Sequence, residues 1–345
     1  MKAVMFREHG GPDVLEVVDR PVPTPGATEV LIRVRSVSVM RTLDTEVRSR
    51  PGYGGIPLPH ILGADPAGDV VQVGSAVDGF LKVGDRVASI QILWCGRCAP
   101  CSKGFNNACV RLRIQGVHTD GGNAEYVVVP AQNLVPIDDS LSYEEASAIM
   151  VMHPTAWHLL IDRGALQPGE TVLILAAGGA LGTAGIQVAK LAGARVIAAA
   201  GADWKLNKAL ELGADDVVNY ATHSLSDEVR RLTDGAGADV VFENLAVPEL
   251  WPHSLASAAF LGRIVTCGAL GGGAVETNMR AFYSRHLSLL GSRAAPKSRV
   301  AEVFRLAGQG KLKAVVHQRY ALEDVRAAHE QVSSREVFGR VMLSV

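Results

Sequence analysis

Four of the chain's five cysteines fall within fifteen residues: Cys95, Cys98, Cys101 and Cys109. The run Cys95-Gly-Arg-Cys98-Ala-Pro-Cys101, then seven residues to Cys109, offers four thiolates from one compact loop. Four sulfurs satisfy the tetrahedral demand of zinc and leave no open position for a substrate, so a structural zinc is expected. A disulfide framework would be spread along the chain instead. The fifth, Cys267, sits in the apolar run Ile264-Val-Thr-Cys267 and reads as a small buried side chain.

A second constellation is Thr171-Val-Leu-Ile-Leu-Ala-Ala177-Gly178-Gly179-Ala180-Leu181-Gly182-Thr183. It has the form of a strand, a glycine turn and a helix start, with an A-x-G-x-x-G fingerprint at Ala177, Gly179 and Gly182. Gly179 lets the backbone approach a pyrophosphate, and Gly182 lets the helix pack against the strand. The helix start, at Ala180 and Leu181, then faces the phosphate charge. The following strand, Arg195–Ala200, ends in Ala200-Gly201-Ala202, where an NAD site would place an acid for the ribose diol. Asp203 lies three residues further on and is expected to cap the next helix. With no acid at the strand end, Lys205 can pair with a 2′-phosphate, so NADPH is the favoured coenzyme and NADH stays possible.

Two kinds of element must position these groups. The first third is β-rich, with β-branched stretches at Val14 to Val18, Glu29 to Val39, Ala67 to Val73 and Asp85 to Ser89. Ser142, with Glu145 three residues on, predicts a capping box and a helix start. From Gly169 short apolar strands alternate with helices. Strands are expected at 171–175, 195–200, 216–219, 240–244 and 263–267, with helices at 181–191 and 204–212. That alternation describes a parallel, doubly wound sheet. A helix at 299–307 and a strand at 339–345 close the chain.

The chain has 345 residues, 48% of them hydrophobic and 20% charged, which suits two domains. Its net charge of −1 gives no footprint for nucleic-acid binding. The start, Met1-Lys2-Ala3-Val4-Met5-Phe6-Arg7, lacks the apolar stretch of a signal peptide, and no long uncharged apolar run suggests a membrane span. A cytoplasmic location is therefore expected.

Residues 25–345 resemble the medium-chain dehydrogenase/reductase superfamily, that is, the zinc-type alcohol dehydrogenases and their quinone-oxidoreductase-like relatives. The matching stretches are Pro59-His60-Ile-Leu-Gly63-Ala64-Asp65-Pro-Ala-Gly68, Val83-Gly84-Asp85-Arg86-Val87, Ala124-Glu125-Tyr126 and the cysteine loop. They continue with Thr155-Ala156-Trp157, Ala177 through Lys190, Leu212-Gly213-Ala214-Asp215 and Phe338-Gly339-Arg340-Val341. The resemblance implies an α/β protein with a GroES-like β-rich catalytic domain (1–150 and 293–345, zinc lobe about 92–112) and a Rossmann coenzyme domain (151–292). It also implies a homodimer or homotetramer.

Family members with a catalytic zinc hold it with a Cys, the His of Gly-His-Glu, and a Cys or Asp. Those positions fall here on Met40 or Arg41 (depending on a one-residue gap), Ala64 and Val151. None is a good zinc ligand. Asp65 stands where the family has a zinc-proximal Glu, and His60 and His153 are the nearby residues with which a site could be rebuilt. The resemblance to zinc-free members gives Tyr53 as a proton or hydrogen-bond donor and Thr155 as a support for the nicotinamide. It also places Tyr220 beside the adenosine phosphate. Arg41 is either an oxyanion holder or a salt-bridge partner of Asp44. The expected activity is NADPH-dependent hydride transfer to an activated alkene, quinone or related small carbonyl compound, without catalytic zinc. The alternatives are an alcohol or aldehyde dehydrogenase with a rebuilt or metal-free site, and a non-catalytic NADPH-binding sensor.

Overall fold

The structure is a computed structural model that describes residues 1–52 and 56–345. The chain forms two compact units, Met1–Val151 with Pro296–Val345, and Met152–Ala295.

The first unit opens with the antiparallel pair β1 (Lys2–Met5) and β2 (Glu16–Asp19). The second of these begins two residues later than the β-branched run suggests, because Pro12–Val14 coils into a 3₁₀ turn. The long strand β3 (Glu29–Val39) is buried over most of its length and forms the centre of the unit. A π-helical turn, Arg41–Thr45, and the short helix α1 (Glu46–Ser49) follow it. A π turn closes its hydrogen bonds over one residue more than an α turn. Next come β4 (Ala67–Val73), β5 (Arg86–Ser89) and β6 (Ile92–Leu93). The helix α2 (Ala99–Ser102) lies inside the cysteine loop, and β7 (Arg113–Ile114) pairs back onto β6 so that the two clamp the loop's ends. Strands β8 (Tyr126–Pro130) and β9 (Leu134–Pro136) and helix α3 (Tyr143–Met150) complete the first pass. Helix α3 carries the expected capping box, Ser142 Oγ accepting the Glu145 N–H at 3.1 Å while the Glu145 carboxylate accepts the Ser142 N–H at 2.9 Å.

The second unit begins with α4 (Met152–Trp157), then alternates β10 (Thr171–Ile174), α5 (Ala180–Leu191), β11 (Arg195–Ala200), α6 (Asp203–Glu211) and β12 (Asp216–Asn219). It continues through α7 (Leu225–Leu232), β13 (Ala238–Phe242), α8 (Trp251–Ser257), β14 (Ala258–Thr266), α9 (Met279–Ser284) and β15 (Ser288–Gly291). Its six strands pair in parallel in the order β12-β11-β10-β13-β14-β15. That is the doubly wound Rossmann order, whose direction of winding reverses between β10 and β13. The core beneath is made of residues such as Leu173, Ile197, Val241 and Ile264, all with no exposed surface. Each contributes about 1.5–3 kcal/mol by leaving water.

The chain then re-enters the first unit as α10 (Lys297–Gly308), β16 (Val316–Ala321), α11 (Val325–Ser334) and β17 (Arg340–Ser344). Strand β17 pairs antiparallel with β3, so a sheet ordered β16-β17-β3-β4-β5-β9, with β8 also on β3, joins both chain ends. No described helix is long and apolar enough to cross a membrane.

Candidate active site and metal centre

In the second unit β10 runs into a turn at Ala176, which takes the left-handed conformation with φ 50°. Ala177, the first position of the fingerprint, follows this turn residue. Ala177 is buried and spends its N–H on the Ala199 carbonyl at 3.0 Å, which leaves that amide unavailable to a phosphate. Gly179 is the N-cap of α5, and the first intrahelical bond runs from Thr183 N–H to the Gly179 carbonyl at 2.9 Å. The amides of Ala180, Leu181 and Gly182 thus precede the helical ladder, at the positive end of the helix dipole. A Cβ on Gly182 would lie 2.3 Å from the Ala176 oxygen, so only glycine allows this helix to sit against its strand.

The end of β11 carries no acid. Asp203 is not the cap: Ala202 is the N-cap, and Asp203 enters the first turn of α6 with its carboxylate accepting from Asn219 Nδ2 at 2.6 Å. The Lys205 stem packs over the glycine turn, so close that a Cβ on Gly178 would lie 2.8 Å from its Cδ, and its Nζ lies 5.2 Å from the Trp204 ring centroid. The Tyr220 ring packs against Gly201, with 3.2 Å between a Cβ built there and Cε2. Gly179, Gly182, Gly201, Lys205 and Tyr220 thereby lie on the turns and helix starts that follow the first three strands of this unit. Thr155, on α4, is buried.

The four cysteines form no disulfide, and their ligand atoms all lie within 4.8 Å of one another. Cys109 Sγ lies 3.6 Å from Cys95 Sγ and 3.9 Å from Cys98 Sγ. Those distances bracket the ~3.8 Å edge of a tetrahedron with Zn–S bonds of about 2.3 Å. Backbone N–H groups of Cys95 and Arg111 donate to Cys109 Sγ at 3.3 and 3.4 Å. The N–H groups of Cys101 and Val110 lower the Cys98 thiol to about 6. Burial, with Cys98 beside it, raises Cys101 to about 12. Spacing, chemistry and second-sphere donors all fit zinc. Among the described residues no other cluster of three or more His, Cys, Asp or Glu ligand atoms forms.

The positions matched to the family's catalytic zinc are different. Met40, Ala64 and Val151 are all buried, and none offers a good ligand. Asp65 has no exposed surface: Oδ1 accepts the Ser38 N–H at 3.0 Å, and Oδ2 accepts from Ser38 Oγ at 2.7 Å and from Arg340 Nη2. Arg340 Nε in turn donates to the Ala148 carbonyl at 3.2 Å. The catalytic candidate Asp65, at the zinc-proximal position, thus has both oxygens engaged within the fold, where they hold β3, β17 and α3 together. Nor does Arg41 pair with Asp44. Its Nε lies 3.4 Å from Glu46, while Asp44 is buried and accepts the Met40 and Gly63 N–H groups at 2.7 and 3.0 Å. Burial drives the Asp44 carboxyl up to about 7.

His60 is buried with Nδ1 3.7 Å from Asp120, and burial lowers its pKa. Nε2 of His153 lies 3.4 Å from Gln187 Nε2. Tyr53 lies outside the described residues. Cys267 stands just past β14 and is half-buried, its N–H donating to Asn244 Oδ1 at 2.9 Å. Its thiol is raised to about 12 by burial.

Sequence reasoning missed two groups. Asn244 follows β13 at the point where strand order reverses, which is where open α/β sheets take their ligands. Its Nδ2 is buried without a hydrogen-bond partner among the described residues. Beside it Glu243 has no exposed surface and accepts the Leu245 and Ala246 N–H groups, burial raising its pKa. The expected strand at 240–244 absorbed both residues, although a Glu-Asn pair ending an apolar run was the signal available. The other group is Arg340, whose partner lies 275 residues away.

Comparison with known proteins agrees with this architecture. Residues 26–139 match the alcohol dehydrogenase GroES-like domain and residues 180–309 the zinc-binding dehydrogenase family. An NAD-dependent alcohol dehydrogenase of Sulfolobus acidocaldarius is 31% identical over 100% of both chains. A quinone oxidoreductase of Pseudomonas aeruginosa is 30% identical over 99% of this chain and 99% of its own. A crystal structure of an NAD-dependent alcohol dehydrogenase superposes with a TM-score of 0.94 at 44% identity, covering 100% of both chains. The chain belongs to the zinc-binding alcohol dehydrogenase family of the medium-chain dehydrogenase/reductase superfamily, and is an NAD(P)-dependent oxidoreductase.

Proposed function

We propose that this oxidoreductase uses NADPH to reduce an activated alkene, quinone or related carbonyl compound, with one structural zinc and no catalytic metal. The observation that carries the reading is the replacement of the family's catalytic ligands by buried Met40, Ala64 and Val151. A Lewis-acid metal is worth several kcal/mol in polarising a simple ketone. Conjugated acceptors need less, because their negative charge spreads over an enolate or quinol and is met by ordinary donors.

When bound, the nicotinamide supplies the hydride. The chain's own residues bind and orient. The amides of Ala180, Leu181 and Gly182 receive the pyrophosphate, and Gly179 leaves room for it. Gly201, without a side chain, leaves the ribose open. Lys205 and Tyr220 hold the 2′-phosphate, which no carboxylate at the end of β11 repels. Thr155 orients the nicotinamide. Arg41, held by Glu46, is the cation toward which charge develops, and Tyr53 is the hydrogen-bond donor. Cys95, Cys98, Cys101 and Cys109 hold the structural zinc and keep their loop folded.

Assembly into a homodimer or homotetramer is supported by the edge of β15, which among the described residues pairs only with β14. Leu289 on that strand is 48% exposed, and Phe260 and Leu261 on the paired strand β14 are 67% and 72% exposed.

The test is NADPH oxidation against a panel of quinones, enones, simple ketones and aldehydes. Turnover confined to the conjugated acceptors supports the proposal. Preference for simple alcohols and ketones would favour the dehydrogenase reading, and no turnover at all would favour a coenzyme-binding sensor.

A further inference from the structure

A cavity of about 540 Å³ opens in the first unit beside the cysteine loop. Cys95 lines it, and none of Met40, Arg41, Ala64, Asp65 or Val151 does. Cavities of this volume take small organic ligands.

Three exposed arginines face the cavity: Arg20, Arg111 and Arg113. Among the described residues none of them has a carboxylate within ion-pair distance. Yet two carboxylates line the same cavity, and both are committed elsewhere. Glu29 Oε2 accepts the Gly26 N–H at 2.9 Å, and Asp120 Oδ1 accepts the Ile61 N–H at 3.2 Å. The arginines meet only weak or neutral partners. Arg113 Nη2 donates to the His118 carbonyl at 2.5 Å and Arg20 Nη1 to Met5 Sδ at 3.2 Å. The Arg111 guanidinium has no hydrogen bond among the described residues. Guanidiniums present a planar fork that matches phosphate and carboxylate oxygens.

The rest of the lining is suited to a ring. Trp94 and Tyr126 are half-buried in it. Gln115, 1% exposed, also contributes: its Oε1 accepts from Ser89 Oγ at 2.6 Å, while Nε2 has no partner among the described residues. A buried amide donor left unpaired is costly and awaits an acceptor.

We propose that this cavity binds a small organic anion carrying a planar ring, with the guanidiniums on its phosphate or carboxylate and Trp94 and Tyr126 along the ring. The site is tied to the metal loop. The backbone N–H groups of Cys95 and Arg111, both lining residues, are the donors to Cys109 Sγ. An occupied cavity therefore braces the donors of one zinc-binding thiolate and slows release of the metal.

The experiment uses the full zinc-loaded chain with saturating NADPH, so that the dinucleotide loop is closed to phosphate. Phenyl phosphate and inorganic phosphate are titrated by calorimetry and by tryptophan fluorescence. The expected result is saturable binding of phenyl phosphate, about fivefold or more tighter than inorganic phosphate. The Arg20→Ala/Arg113→Ala variant, with unchanged zinc content, is expected to bind about tenfold or more weaker. Phenyl phosphate at ten times its Kd should slow chelator-driven zinc loss about twofold or more. Absence of saturable binding, or equal binding by parent and variant, overturns the site. Equal affinity for the two probes overturns the ring subsite, and an unchanged rate of zinc loss overturns the coupling. None of these outcomes depends on which acceptor the enzyme reduces.

Discussion

Replacing each of the two turn glycines by alanine separates packing from coenzyme binding. A Cβ on Gly182 would sit 2.3 Å from the Ala176 oxygen, against an ordinary contact of 3.4 Å, a shortfall of about 1.1 Å. Its nearest neighbours are backbone atoms of the Ala176–Ala177 turn, so the start of α5 must retreat by that distance. Overpacking of this kind costs about 1–3 kcal/mol, which lowers Tm by roughly 2–4 °C per kcal/mol for a unit of this size. A displacement of about 1 Å in a binding constellation costs on the order of 100-fold. Gly179→Ala is the contrast. Its φ of −74° suits any residue and its Cβ meets only the Ala176 oxygen at 3.3 Å, so Tm should move little. The added methyl lies on the exposed face of the turn and should weaken NADPH binding about 10- to 100-fold. Thermal melts and fluorescence titration with NADPH read the two effects separately. Gly179→Ala protein that binds NADPH as the parent does would refute the placement of the pyrophosphate.

Three further outcomes follow from the same geometry. Lys205→Ala should raise the NADPH Kd about tenfold and leave NADH nearly unchanged, and equal effects on both would contradict the 2′-phosphate pairing. Cys109→Ser should strip the loop of most of its zinc and sensitise residues 94–112 to proteolysis, as metal analysis and limited digestion would show. Asp44 keeps its proton to about pH 7 in the fold but releases it near 3.8 when unfolded. The folded state therefore binds more protons in between, and this group's contribution to stability falls as pH rises from about 4 to about 7. The stability difference between parent and Asp44→Asn should accordingly shrink or reverse across that window; a difference that grows in favour of the parent with pH would contradict the assignment.

Much of the fold was legible because β-branched runs end at residues that cannot continue a strand. Glu29–Val39, Ala67–Val73, Arg195–Ala200 and Asp216–Asn219 form at the predicted bounds. Where an apolar run continues past the pairing, the reading slipped: β13 stops at Phe242 because Glu243 and Asn244 turn to backbone partners. The glycine fingerprint placed the turn, but the left-handed φ at Ala176 is not announced by an alanine. Side-chain partners were the least legible. Arg41 reaches Glu46 because a π turn changes the helical phase, and Asp65 meets Arg340 from the far end of the chain. No local pattern encodes either contact.

The central claim is that hydride transfer here needs no metal at the substrate. Zinc content measured together with NADPH-dependent enone or quinone reduction tests it most directly. The account predicts about one zinc per chain, held by the four cysteines, and activity that survives a chelator able to strip an exposed second site. Two zincs per chain, with turnover lost as the more labile one is removed and regained when it is restored, would contradict it.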